Sequence, residues 1–307
     1  MSGQAAYADW IAVDWGTTHL RAWAMGPDGT VRASAQSEDG MGRLARDGFE
    51  PALLDLIQDW LGAGPTPILA CGMVGAKQGW QEAPYVRVPA KPAELAPMRA
   101  TAPRDPRLRL SIVPGLSQAA PPDVMRGEET QVAGFLAREP GFDGVLCLPG
   151  THTKWVQLSA GEVVSFQTCM TGELFDLLSH HSVLRHSVDA PALDPAAFLE
   201  ALADTLSRPE RLAQRLFAVR ADATLNGTGA TVSRARLSGT LIGAELAATR
   251  PYWLGQQVAV AAAPALADLY ARALQAQGVP ARSLDAGPLT LAGLARIRAA
   301  QTEPSLP

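Results

Sequence analysis

The sequence predicts an α/β protein built from two similar halves, and three observations carry that expectation. An apolar run followed by two strand-like segments occurs near the start (Trp10–Trp15, Leu20–Met25, 30–36) and again near the middle (Gly144–Leu148, 154–158, 163–166). Each copy turns on a Gly-Thr pair, Gly16-Thr17-Thr18 and Gly150-Thr151-His152, and the two lie 134 residues apart in a chain of 307. Beyond each meander, helical and strand spacing alternate, the pattern of mixed sheets flanked by helices.

Taken in order, Gly26-Pro27-Asp28-Gly29 is a strong turn that separates the second and third strands of the first meander. Leu53, Leu54, Ile57, Trp60 and Leu61 recur at helical spacing and predict a helix over 49–61, followed by an apolar strand over 68–71. A buried strand is expected at 111–114 and a helix at 128–138 with Val132, Phe135 and Leu136 inward; Pro140-Gly141 closes the first unit. In the second unit the turn Ser159-Ala160-Gly161 precedes the third strand. Helices are expected over 172–178, 195–207, 210–218, 233–248, 263–277 and 289–299, with strands at 257–260 and 282–285. The domains are therefore read as 8–140 and 141–300.

Composition narrows the function. With 47% hydrophobic and 18% charged residues, plus 28 Gly and 24 Pro, the chain has the material for two cores and many tight turns. The 26 basic and 30 acidic side chains leave a formal charge of -4, so neither nucleic acid nor an anionic membrane is an expected partner. The uncharged stretch 251–267 holds Gln256, Gln257, Pro251 and Pro264 and is not read as a membrane span. Met1 to Asp9 carries no basic region followed by an apolar run, and Cys71, Cys147 and Cys169 are odd in number and far apart. Both features point to a cytoplasmic protein with reduced thiols. His180, His181 and His186 lack metal-ligand spacing and read as solvent-facing, as does the Arg-rich loop 99–109 with its two prolines.

The chemistry gathers at the two turns. Asp14 stands at the end of a buried strand, and Gly16, Thr17 and Thr18 follow with backbone amides and hydroxyls suited to an anion; Asp14 is then the candidate ligand for a hydrated magnesium ion. An ordinary hairpin with Asp14 accepting turn amides has the same sequence. The second turn, Gly150-Thr151-His152-Thr153-Lys154, repeats the small hydroxyl-rich pattern, but Leu148 stands where Asp14 stood. Two such loops, one with an acid, suit a mononucleotide polyphosphate, with Thr153 or Lys154 near its terminal phosphates. Neither a Walker-type nor a dinucleotide-type glycine motif is present.

These turns and the duplicated meander resemble the actin, hexokinase and Hsp70 superfamily, whose members share a two-domain actin-like (ribonuclease H-like) ATPase fold with a duplicated mixed β-sheet. Four further stretches resemble the 2-dehydro-3-deoxygalactonokinase family. They are Gly72-Met73-Val74-Gly75-Ala76-Lys77-Gln78-Gly79-Trp80, Glu82-Ala83-Pro84-Tyr85, Arg126-Gly127-Glu128-Glu129-Thr130-Gln131 and Met170-Thr171-Gly172-Glu173-Leu174-Phe175. The resemblance implies ATP- and magnesium-dependent phosphorylation of the C6 hydroxyl of 2-dehydro-3-deoxy-D-galactonate, in a cleft that closes on both substrates. It also implies an adenosine site in the second domain near Ala262, where Ala262-Ala263-Pro264 replaces the glycine pair common in the superfamily.

Within that reading an alcohol acceptor requires a base. Glu128 and Glu129, at the start of the linking helix, are the candidates, with Glu129 preferred and Asp14 as rival; acids in a first helical turn also simply complement the helix dipole. Arg126 can pair with the substrate carboxylate. Gln78, Trp80, Glu82 and Tyr85 form the expected substrate loop, while Trp80 is equally readable as core; Thr171 and Glu173 frame the site from the second domain or cap a helix. Two rivals remain at this point: a kinase for another sugar or sugar acid, and a non-catalytic nucleotide-binding sensor. The oligomeric state is open, a homodimer included.

Overall fold

The structure, a computed structural model, describes residues 7–302. It divides into two compact units: the chain up to Phe142 with Ser159–Ser165 and the chain from Ala286 onward, and a second unit of Asp143–Leu158 and Phe166–Asp285.

The first unit is built on a six-stranded sheet. Its strands are β1 (Trp10–Trp15), β2 (Leu20–Met25), β3 (Val31–Ser37), β4 (Thr66–Gly72), β6 (Met98–Arg99) and β7 (Leu108–Ile112), in the order β3-β2-β1-β4-β7-β6. β1 is antiparallel to β2 and parallel to β4, which is parallel to β7. Trp-Ile-Ala-Val-Asp-Trp is apolar on both faces of the strand, so β1 belongs at the sheet centre, whereas the polar alternation of β3 suits its edge. One face packs Ile11, Val13 and Trp15 against Phe49, Leu53 and Ile57 of α1 (Phe49–Ile57). A smaller sheet of β5 (Tyr85–Arg87), β8 (Gly115–Ala119) and β9 (Pro122–Met125) then leads into α2 (Glu128–Arg138). These three short strands were not expected from the sequence. They are brief and largely polar, and only their mutual pairing makes them strands.

A five-stranded sheet, mostly of the second unit, is formed by β10 (Gly144–Leu148), β11 (Thr153–Ser159), β12 (Glu162–Cys169), β13 (Val258–Ala262) and β14 (Arg282–Asp285). Its order, β12-β11-β10-β13-β14, repeats that of β3-β2-β1-β4-β7, with the same antiparallel meander and parallel continuation. The helices are α3 (Thr171–His180), α4 (Pro195–Ser207), α5 (Leu212–Leu225), α6 (Ala230–Ala248), the short α7 (Arg250–Trp253) and α8 (Pro264–Gln275). Trp155, Phe198, Trp253 and Tyr270 fill the core between them.

The last helix, α9 (Gly287–Thr302), departs from the sequence-based boundary of 141–300 by joining the first unit. It lies against α2 so closely that a Cβ on Gly134 would stand 2.0 Å from the Leu289 carbonyl oxygen, and one on Gly293 1.9 Å from that of Thr130. Two glycines far apart in sequence make that backbone contact. Among the described residues no helix is long and apolar enough to cross a membrane, and Cys71, Cys147 and Cys169 are unbridged.

Candidate active site

In the first unit, β1 carries Asp14 to the end of the central sheet, where it faces Arg21 across the β1–β2 ladder and Cys71 across the β1–β4 ladder. The Arg21 guanidinium donates to Asp14 Oδ2 from Nη2 and, at 3.1 Å, from Nε; the Cys71 thiol donates to Oδ1 at 3.8 Å. Asp14 keeps about a sixth of its side-chain surface open. With Gly16, Thr18, His19, Arg21 and Gln36 it lines a cavity of about 390 Å³. Thr17 and Thr18 are exposed, and the loop is held by Gly42 N–H donating to the Thr17 carbonyl at 2.9 Å. This is a concave, polar site with one carboxylate and one guanidinium, able to accept both a cation and phosphate oxygens.

Glycine lets a second carboxylate segment approach. Gly72, at φ 87°, sits where a Cβ would lie 2.6 Å from the Trp15 carbonyl oxygen and 3.6 Å from Asp14 Oδ1. Gly127, at φ 104°, sits where a Cβ would lie 3.4 Å from the Gly72 Cα. Immediately after it, Glu128 is half-buried and accepts the Arg126 backbone N–H at 3.1 Å. Glu129 has no exposed surface; it accepts the Gly127 N–H at 2.6 Å and the Thr130 hydroxyl at 3.0 Å. Burial, with the neighbouring Glu128 charge second, pushes its carboxyl up to about 8, so near neutral pH it is mostly protonated. The sequence ranks Glu129 ahead of Glu128 as base; in the structure Glu129 is the fully buried acid and Glu128 the half-buried one.

Arg126 is 9% exposed. It donates from Nη2 to the Ala83 carbonyl at 2.8 Å, and the Tyr85 ring covers its guanidinium at 4.3 Å. Its Nε and Nη1 are buried with no partner. Unpaired guanidinium N–H groups in the interior are costly unless an acceptor completes them. Gln78 and Glu82 are exposed on the loop that bends back through the Ala83 N–H to Gly75 carbonyl bond. Trp80 points the other way: it packs in the core near Phe49 and Trp15, with ring centroids 6.3 and 6.2 Å away.

In the second unit the β10–β11 turn exposes Gly150, Thr151 and His152. Gly172 at the start of α3 presses on this turn, where a Cβ would lie 2.1 Å from the Gly150 carbonyl oxygen; Glu173 N–H donates to the Thr151 carbonyl, and the Glu173 carboxylate meets His152 Nε2 at 2.6 Å. Thr153 and Lys154 are not presented to solvent. The Thr153 hydroxyl is buried 3.1 Å from that of Tyr270, and the Lys154 ammonium bends back to donate to the His152 carbonyl. Beside the turn lies a mainly apolar cavity of about 520 Å³ whose wall includes Thr151, Thr171, Phe175, Leu241, Ala265 and Tyr270. Its volume suits a nucleoside. Ala262 is buried in the core, and the adjoining residues of α8 face the cavity instead.

Sequence reasoning missed Arg21 as a site residue, although the hairpin register opposite Asp14 signals it. It also missed the cavity residues of α6 and α8, for which no local signal exists. Among the described residues no cluster of three or more His, Cys, Asp or Glu could hold a metal by itself. A lone aspartate at a phosphate site is nonetheless a normal magnesium ligand, because substrate phosphates and water complete its shell.

Comparison with known proteins agrees with this geometry. Residues 14–297 match the family model described as 2-keto-3-deoxy-galactonokinase. A Rhizobium meliloti protein assigned as a 2-dehydro-3-deoxygalactonokinase is 43% identical over 291 residues, covering 93% of this chain and 95% of the relative. The 2-dehydro-3-deoxygalactonokinase of Escherichia coli is 39% identical over 276 residues, covering 88% and 91%. A crystal structure assigned to the same kinase from Sinorhizobium meliloti superposes with a TM-score of 0.88 at 40% identity, covering 95% of this chain and 99% of the other. The actin-like fold, the two turns and these matches agree, and the chain belongs to the 2-keto-3-deoxy-galactonokinase family of carbohydrate kinases.

Proposed function

We propose that the protein transfers the γ-phosphoryl group of ATP to the C6 hydroxyl of 2-dehydro-3-deoxy-D-galactonate, a step in the breakdown of galactonate. Family membership supports the reaction, and Arg126 is the observation that favours a sugar acid over a neutral hexose. Its buried Nε and Nη1 are left as cationic donors without an acceptor, which suits an anionic group such as a carboxylate. Tyr85, 41% exposed, stacks on this guanidinium and turns aside when the acid enters. Gln78 and Glu82 contact the sugar hydroxyls.

The nucleoside enters the apolar cavity of the second unit, and the exposed amides of Gly150 and Thr151 meet its phosphates. Gly16, Thr17 and Thr18 supply the first unit's phosphate donors. Asp14 holds magnesium, which when bound neutralises charge on the phosphate oxygens. Arg21 holds the Asp14 carboxylate in orientation. We assign the base to Glu128, the half-buried acid, which takes the acceptor hydroxyl proton as the phosphoryl group moves. Glu129, protonated and bonded to Gly127 N–H, stiffens the backbone from which Glu128 projects. The unbridged cysteines fit a reducing, cytoplasmic setting.

The test is ADP release with magnesium-ATP against the galactonate compound, its C4 epimer 2-dehydro-3-deoxy-D-gluconate, and simple hexoses, with the product identified by NMR. Preferred turnover of the galactonate compound with phosphate on C6 is expected. Faster turnover of a neutral hexose would overturn the sugar-acid reading, and ATP binding without transfer to any acceptor would leave a nucleotide sensor.

A further inference from the structure

A buried carboxylate that the reaction does not use lies beneath the second unit's cavity. Glu245, on α6, is 4% exposed. Its Oε1 accepts the Trp155 indole N–H at 2.8 Å and its Oε2 the Tyr270 hydroxyl at 3.0 Å. The hydroxyls of Thr171 and Thr153 also bond to it. Every partner approaches as a donor, and the four come from three different elements: Thr153 and Trp155 from β11, Thr171 from the first residue of α3, and Tyr270 from α8. Thr171 and Tyr270 line the cavity, and Thr153 opens β11 directly after the turn of Gly150, Thr151 and His152. An apolar core of the same shape would need none of this, and burying an acid costs free energy that four donors only partly return. Burial holds the Glu245 carboxyl above its ordinary range despite those donors, which makes the group expensive to keep for packing alone.

We infer that Glu245 is a positioning residue for the nucleotide: it ties the phosphate turn, the start of α3 and the α8 wall of the cavity into one rigid frame matched to ATP. The inference rests on the reading of this cavity as the nucleotide site. Glu245 itself contacts neither substrate; it acts through Thr153, Thr171 and Tyr270.

Glu245→Gln keeps the shape but places an amide N–H₂ among donors. The Tyr270 hydroxyl must then turn to accept, which redirects the Thr153 hydroxyl. The expected result is a KM for ATP raised about tenfold, and a matching loss of affinity for a non-hydrolysable ATP analogue with magnesium by titration calorimetry. The KM for the sugar acid should stay within about twofold, because its residues lie in the other unit. Tyr270→Phe removes one donor, should move the same constants in the same direction by less, and serves if Glu245→Gln fails to fold. Ala265→Trp, at an exposed position on the cavity wall, tests the underlying reading by filling the cavity. If Ala265→Trp abolishes analogue binding while both network variants bind normally and merely melt earlier, Glu245 is a structural core acid and the inference fails. If Ala265→Trp binds the analogue as well as the parent protein, the nucleotide reading of the cavity fails first and takes the inference with it.

Discussion

The two meanders share a backbone and differ in charge. Asp14 faces Arg21 across the first hairpin; at the matching register of the second, Leu148 faces Lys154. Strand order is the same in the two sheets, while the second hairpin is one residue shorter between these paired positions and carries an apolar side chain where the first carries an acid. The open acid–guanidinium pair of the first unit suits a metal and reacting phosphate, whereas the second turn abuts an apolar cavity and offers mainly backbone amides. The repeat thus places a Gly-Thr turn in each hairpin, and the side chains at one paired position distinguish the two.

The largest test of that distinction lies in the first unit. Glu128→Gln should lower kcat by about 10²–10⁴-fold with ATP affinity nearly intact, as expected for loss of a general base. Equal damage from Glu129→Gln alone would return the base to the buried acid. Asp14→Asn should cut magnesium-dependent turnover by on the order of 10²–10³-fold, comparable to losing one preorganised electrostatic partner. Its thermal melting should change little, because the side chain is partly exposed and Asn keeps the hydrogen bond; an unaltered rate would dissolve the contrast between the two turns.

Leu148→Asp restores in the second unit the pair found in the first. Leu148 is 3% exposed, so the acid should destabilise the fold by about 1–3 kcal/mol, measurable by denaturant titration. It should also weaken ATP binding about tenfold by placing negative charge beside the phosphate turn. Unchanged ATP affinity in the folded variant would mean that the missing acid is neutral drift rather than adaptation.

The smallest effect concerns pH. Glu129 has its carboxyl raised to about 8 in the fold against an ordinary value of 4.5, so between those limits the folded state holds the proton more tightly than the unfolded chain. The stabilisation is complete below about 4.5 and is lost as pH rises through about 8. Glu129→Gln cannot lose a proton. Its melting temperature should therefore fall less than the parent's between pH 5 and pH 8.5, and parallel curves would place the titration elsewhere.

Much of this molecule is legible in its sequence for local reasons. Both meanders announce themselves because alternating apolar residues and Gly-Thr turns are short-range signals, and α2 agrees with its expected bounds because its inward face repeats at helical spacing. Helix ends were less legible: α5 runs to Leu225 rather than stopping near 218, since nothing between breaks a helix. Trp80 sits in the same stretch as Gln78 and Glu82, yet the fold turns it inward and them outward. No spacing rule separates an aromatic that stacks on substrate from one that stacks on Phe49.

By itself the sequence determined the duplicated α/β architecture, the two Gly-Thr turns and the acids at the head of α2. These depend on residues near one another in the chain, whose backbone preferences and polar groups act locally. Only tertiary structure decided which of two adjacent glutamates is open, that Arg126 is buried with two free donors, and that Glu245 gathers β11, α3 and α8. It also decided that α9 joins the first unit through Gly134 and Gly293. Burial, desolvation and close backbone contact are set by which distant segments meet, and that is a property of the packed chain rather than of any stretch of it.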